Sequence, residues 1–179
     1  MRPEFRHADA HVKVQAGACA RVSVIYHHFP HYRRPVLHAL VNSGEHDYRF
    51  WGSHETFDGI RTFSGDSVAR VSPLRFRYLL GGRLWHLRGF WPAVLDRNTD
   101  VLILHAPPNM PAGWLIALGA RLTGKKLLFW VHGWLYREPR LKAFVRRLYF
   151  GLGHGVMTYS DRSRRLASAA GFDPARVIP

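Results

Sequence analysis

The sequence predicts an α/β fold, a parallel sheet flanked by helices, and three observations predict it. Short apolar runs rich in β-branched residues alternate with stretches of helical periodicity, the pattern of repeated βαβ units. Four of these runs end in a polar residue: residues 22–26 lead into His27, 101–104 into His105, 127–131 into His132 and Gly133, and 156–159 into Ser160. In open parallel sheets ligands bind beyond the carboxyl ends of the strands, so this recurrence outlines a site before any motif is matched. Finally, 179 residues suit a single ordinary domain, large enough to bury roughly 70% of its unfolded surface.

The elements follow in order. Residues 1–20 mix Glu4, Arg6, Asp9 and Lys13 among apolar positions and read as a loose leader, neither a signal peptide nor a membrane span. Residues 21–26 form the first strand. Pro35 then opens a helix whose apolar face is Val36, Leu37, Leu40 and Val41, with Gly44 as its stop. Residues 48–52 make a second strand, residues 53–67 a polar loop, and residues 68–71 a minor strand. Between Arg75 and Arg97 arginines interleave with aromatic and aliphatic residues, and Gly81, Gly82 and Gly89 divide the stretch into two expected short helices. Strands at 100–105, 126–132, 155–160 and 176–178 then alternate with helices at 112–122, 139–152 and 162–170, leaving 21–179 as the folded domain.

Charge narrows the partners. The 26 Lys and Arg against 12 Asp and Glu give a formal charge of +14, which favours an anionic partner: nucleic acid, a phosphorylated substrate or an acidic membrane face. No nucleic-acid reader motif accompanies the charge, which argues against that partner. The single cysteine, Cys19, excludes an internal disulfide and points to a reducing, cytoplasmic compartment. No segment reaches the ~18 uninterrupted apolar residues of a spanning helix, so membrane contact is expected to be peripheral. In the two basic aromatic zones, 75–91 and 140–150, the apolar residues either face the sheet, leaving a solvated basic face, or dock with the arginines on anionic lipid.

Three motifs compete with plainer readings. Residues 119–126, GARLTGKK, approach the phosphate-cradling GxxxxGK[ST] pattern, but they end a helix and open a strand, which reverses the order that pattern needs. A helix cap followed by solvated lysines is the better account. His27, His28 and His31 cluster after the first strand, within possible reach of His105 and His132. A metal ion would need further ligands, and no carboxylate or second thiol lies in a suitable spacing. The imidazoles are therefore expected to hydrogen-bond substrate or one another. His132 can exchange a hydrogen bond with a substrate hydroxyl, and Gly133 lets backbone amides approach a ligand. Ser160 either contacts ligand or caps the following helix, and the cap is expected.

Taken together, RVSVIYHHFPHYRRPVLHAL at 21–40, DVLILHAP at 100–107, KLLFWVHGW at 126–134 and GVMTYSDRSRRLASAAGFDPARVIP at 155–179 resemble the N-terminal half of a family 4 GT-B glycosyltransferase. The resemblance implies a Rossmann-like parallel sheet, one half of a GT-B architecture, that binds the acceptor. It implies transfer of a hexose from a nucleotide diphosphate donor to a lipid-linked or polysaccharide acceptor, with retention and with neither metal nor other cofactor. By the same resemblance His132 is the catalytic position, against the transferred sugar. His27, His28, His31, Tyr32 and Arg33 form the first loop over the cleft, and His105, Gly133 and Ser160 complete the substrate-binding set. The family's donor-binding C-terminal domain is absent from this chain, so the segment alone is expected to be inactive. The competing expectation is a non-catalytic basic module binding anionic lipid, polysaccharide or nucleic acid.

Overall fold

The computed structural model describes residues 19–56 and 58–179, and the leader expected over 1–20 lies almost wholly outside them. Seven strands form one parallel sheet: β1 (Arg21–His28), β2 (Asp47–Ser53), β3 (Val71–Pro73), β6 (Val101–Leu104), β7 (Lys126–Trp130), β8 (Gly155–Met157) and β9 (Val177–Ile178). Their spatial order is β3-β2-β1-β6-β7-β8-β9, so the chain moves outward from β1 on one side and then returns to build the other. The reversal falls between β1 and β6, where an open α/β sheet forms its binding crevice.

β1 is central and buried on both faces, which suits its valines and isoleucine. On one face Val22, Val24 and Tyr26 pack with Phe29, Leu37 and Phe50 under α1 (Arg34–Asn42). On the other, Ile25, Leu102, Leu104, Leu127 and Phe129 pack beneath α3 (Pro111–Leu122), α4 (Arg140–Gly151) and α5 (Asp161–Ala169). Over the far half of the first face, Ile103, Leu128, Trp130 and Met157 remain partly exposed. At the amino-terminal edge Arg21 grips Asp100 across β1 and β6, with bonds of 3.0 and 3.1 Å to its two carboxylate oxygens, and those bonds hold the carboxyl down to about 2.

The stretch expected as two helices is different. Residues 75–88 form an antiparallel hairpin, β4 (Arg75–Leu79) and β5 (Leu84–Arg88), followed by the short α2 (Trp91–Leu95). The turn takes positive φ at Leu80, Gly81 and Gly82, so the glycines reverse a hairpin rather than interrupt a helix. Phe76 and Leu87 point inward while Arg75, Arg77 and Arg88 stay outside, the period-two alternation of a half-buried ribbon. The minor strand falls at Val71–Pro73 rather than at 68–71.

Residues 119–126 close α3: the Gly124 amide donates to Arg121 O and the Lys125 amide to Ala120 O, a double C-cap. Lys126 is exposed, but Lys125 is buried, contrary to the expected pair of solvated lysines. On α4 only Tyr149 and Phe150 are buried; Leu141, Phe144 and Leu148 face outward at 75, 53 and 54% exposure. Leu115, Leu118 and Leu122 do the same on α3, which lies beside α4 through the Trp114 and Tyr149 rings, 4.9 Å apart.

Phe129 carries much of the packing, because β7 lies between β6 and β8 and the ring meets Tyr149 at 4.7 Å and Phe150 at 5.1 Å. Phe129→Ala is expected to cost about 3–5 kcal/mol, read as a lower urea midpoint at unchanged denaturant slope.

Candidate functional site

The crevice between β1 and β6 is built from the polar residues at the strand ends. Ile25 and Leu104 are paired across the two strands, and the His105 amide donates to Ile25 O at 2.9 Å. That register sets the His27 and His105 rings side by side, with their Nδ1 atoms 3.2 Å apart. Such a contact requires one Nδ1–H to donate to the other ring's lone pair, so the two rings share the proton of one hydrogen bond. Tyr26 stacks on His105 at 3.9 Å, and the hairpin closes the other side, with Phe76 and Trp85 rings 5.1 and 4.9 Å from His27. His28 sits edge-on to His27 at 4.5 Å.

Burial dominates the electrostatics. It lowers the His27 imidazole to about 2, helped by the charges of His105 and His28, and lowers His105 to about 3, helped by His132 and Arg33. His28 is lowered by the same burial, opposed by Asp58. Burial raises the Tyr26 phenol, so it stays protonated.

His132 lies at the end of β7, exposed, with its ring 5.0 Å from that of Tyr159. The loop behind it is tightly held. Ser163 Oγ lies 3.1 Å from both His132 O and Trp134 O, and its single proton serves the two carbonyls. Arg146 donates to Gly133 O at 2.8 Å while forming a two-point ion pair with Glu138 at 2.8 Å on each arm. Gly133 has φ +71, and a Cβ there would stand 2.7 Å from Thr158 Cγ2 and 2.9 Å from Ser163 Oγ. Backbone conformation and packing therefore require this glycine, and its carbonyl is already committed to the protein.

Arg33 reaches over the crevice from the first loop. Its guanidinium lies 4.8 Å from the Trp130 ring centre and donates to Tyr159 Oη at 2.6 Å, linking the ends of β1, β7 and β8. Its Nε is buried with no acceptor among the described residues. His31 and Tyr32 are exposed and remain apart from this cluster: His31 Nδ1 lies 3.3 Å from Arg61 O, and Tyr32 is 59% exposed. Ser160 occupies the N-cap position of α5, but its side chain makes no capping bond; it is exposed, and its carbonyl accepts from the Ser163 amide. The expected side-chain cap does not form.

His105, His132, Gly133 and Arg146 line one cleft of about 230 Å³ with Trp85 and Asn109. Tyr26, Trp85, Arg146 and Tyr159 belong to this site and were not singled out by the sequence. Tyr26 and Tyr159 carried a local signal, as the residues before His27 and Ser160 at strand ends. A larger concavity of about 840 Å³ lies at the opposite edge, among Arg97, Asp100 and Lys125. Asp100 is already engaged by Arg21 there, and it is the wrong edge for a parallel sheet to bind ligand. Among the described residues no group of three His, Cys, Asp or Glu is arranged to hold a metal ion.

No family model matches the chain, and no curated protein matches it in sequence. Among solved structures it is similar to one assigned as a UDP-N-acetylglucosamine 2-epimerase from Listeria monocytogenes, with a TM-score of 0.54 and 15% identity over 90% of this chain and 45% of that one. At such identity the likeness shows the fold alone: a Rossmann-like sheet flanked by helices, matching one half of a GT-B architecture. The chain spans about half the length of that structure, 45%. A protein from Yersinia pestis assigned as an oxidoreductase matches at a TM-score of 0.34 and 14% identity, over 88% of this chain and 34% of that one, too slight a likeness to carry an argument.

The histidine pair sets the pH response. Above about pH 6.5 these rings are neutral folded or unfolded, and their contribution to stability is complete. As pH falls from 6.5 toward the folded values of about 2 and 3, the unfolded chain binds protons that the folded chain refuses. Stability should then drop by up to about 1.4 kcal/mol per pH unit for each ring. Urea midpoints at a series of pH values should slope less in His27→Gln than in the parent; equal slopes would refute this assignment.

Proposed function

We propose that this chain is the acceptor-binding half of a retaining glycosyltransferase, which takes a hexose from a nucleotide diphosphate donor held mainly by a second Rossmann-like half. The observation that carries this reading is the convergence of His27, His105, His132 and Arg33 at the strand-order reversal of a sheet matching half a GT-B fold. The proposed relation to family 4 is supported by the resemblance of the four sequence stretches alone. At about 230 Å³ the cleft is below the roughly 300–1,000 Å³ of complete small-molecule sites, which fits one wall of a larger site.

In this reading His132, exposed on a rigid loop, meets the transferred sugar. His105 is neutral at physiological pH and can exchange hydrogen bonds with a hydroxyl without the cost of burying a charge. Arg33 has no carboxylate partner among the described residues, and its guanidinium would meet an anionic group on the acceptor or donor. His28, His31, Tyr32 and Ser160 would contact ligand at the rim. Neither metal nor organic cofactor takes part.

The acceptor is lipid-linked or a polysaccharide, and the protein works at the cytoplasmic membrane face. No helix among the described residues is long and apolar enough to cross a membrane. The outward leucines and Phe144 of α3 and α4, with Arg140 and Arg147 beside them, form the apolar and cationic surface that a peripheral protein presents to anionic lipid.

Two measurements test this reading. The isolated chain should turn over no nucleotide sugar, and a supplied donor-binding half should restore transfer, which His132→Ala should then lower about 100-fold or more. Failure to restore transfer with any related donor half would favour a non-catalytic basic module. Leu141→Glu with Leu148→Glu should abolish cosedimentation with anionic vesicles while changing stability by less than about 0.5 kcal/mol, because both side chains are exposed.

A further inference from the structure

Outside the crevice, a second concavity of about 390 Å³ lies between α4, α5 and the loop that joins β7 to α4. Arg137, Arg140 and Arg147 line it, and none of the three has a carboxylate within ion-pair distance among the described residues. The acid that also lines it, Glu138, is only 4% exposed in its side chain and is already neutralised by Arg146 at 2.8 Å and Lys142 at 3.2 Å. Three guanidinium groups along one groove concentrate positive charge where an anion would be attracted.

Two independent features agree. The amino-terminal end of α4 attracts negative charge through the helix dipole, yet its first turn carries Arg140 and Lys142, with no acid and no side-chain cap. Trp134 lines the same groove, is 2% exposed, and its indole N–H is buried without an acceptor among the described residues. A buried donor left unpaired costs about 1–3 kcal/mol, which an oxygen of a bound anion would recover.

We propose that this groove binds a phosphate group through Arg137, Arg140, Arg147 and the Trp134 indole N–H. Phosphate suits it because guanidinium forks match its oxygens and a neutral N–H can complete the set. The outward Phe144 and Leu148 lie beside the groove, with Phe144 and Arg147 lining both it and the adjoining surface. A lipid headgroup and a free phosphate compound share the recognised chemistry, and the lipid source deepens the membrane reading above, on which that part rests.

The test follows the Trp134 indole N–H resonance, identified by its loss in Trp134→Phe, as inorganic phosphate is added at constant ionic strength against a chloride control. The expected result is a saturable shift, weakened about tenfold by each of Arg137→Ala, Arg140→Ala and Arg147→Ala. These arginines are exposed, so the variants should retain the parent's thermal midpoint. Cosedimentation with phosphatidylglycerol in phosphatidylcholine, against phosphatidylcholine alone, distinguishes the sources. A phosphate shift together with arginine-dependent vesicle binding supports a headgroup site. A shift without vesicle binding supports a free phosphate ligand and overturns the membrane reading. No shift overturns the groove site, whether or not vesicles bind.

Discussion

A central strand bonded in parallel register on both sides organises this molecule, and that strand is β1, between β2 and β6. A parallel neighbour on each edge requires crossovers on both sides, and the order of strands must reverse at β1. The reversal leaves a crevice at the carboxyl end. Much of the chemical capacity there depends on the register: Ile25 opposite Leu104 aligns His27 with His105, and burial inside a wall of aromatic residues disfavours charge on both rings.

The crevice is rigid for a related reason. His132 projects from a turn whose carbonyls are taken by Ser163 and Arg146, and Arg146 is itself fixed by Glu138. One exposed imidazole is thus mounted on a turn whose carbonyls are all engaged by side chains. Arg33 reaches it from the other side of the sheet reversal, across the faces of Trp130 and Tyr159. The crevice is positioned by secondary structure at its base and by side-chain bonds at its rim, whereas the α4–α5 groove is held between two helices and a loop. The outward leucines of α3 and α4 leave that helical layer with an apolar exterior that packing among the described residues does not use.

The strands were legible because a buried parallel strand must be a short apolar run, and the runs ending at His27, His105 and His132 are of that kind. The hairpin was not, because Gly81 and Gly82 mark a break without stating what they interrupt. The alternation of Arg75, Phe76, Arg77 and Tyr78 is the signal that separates ribbon from helix. On α4 the periodicity was visible but its direction was not: Leu141, Phe144 and Leu148 share one helical face, and the neighbouring side chains decide whether it turns inward. Ser160 stands where a helix cap belongs, but its hydroxyl stays free of the backbone while the nearby Ser163 is buried under the His132 turn.

By itself the sequence determined the α/β class, the order of the main parallel strands with the helices between them, and the polar residues at the strand ends, because hydrophobic periodicity and chain punctuation are local properties. Only the tertiary structure decided which of those residues meet. His27 and His105 share a proton and His132 joins the same cleft, but His31 and Tyr32 stand outside it, because strand register and the covering hairpin act between segments distant in sequence. The strand ends marked a site, and pairing across the sheet selected its members.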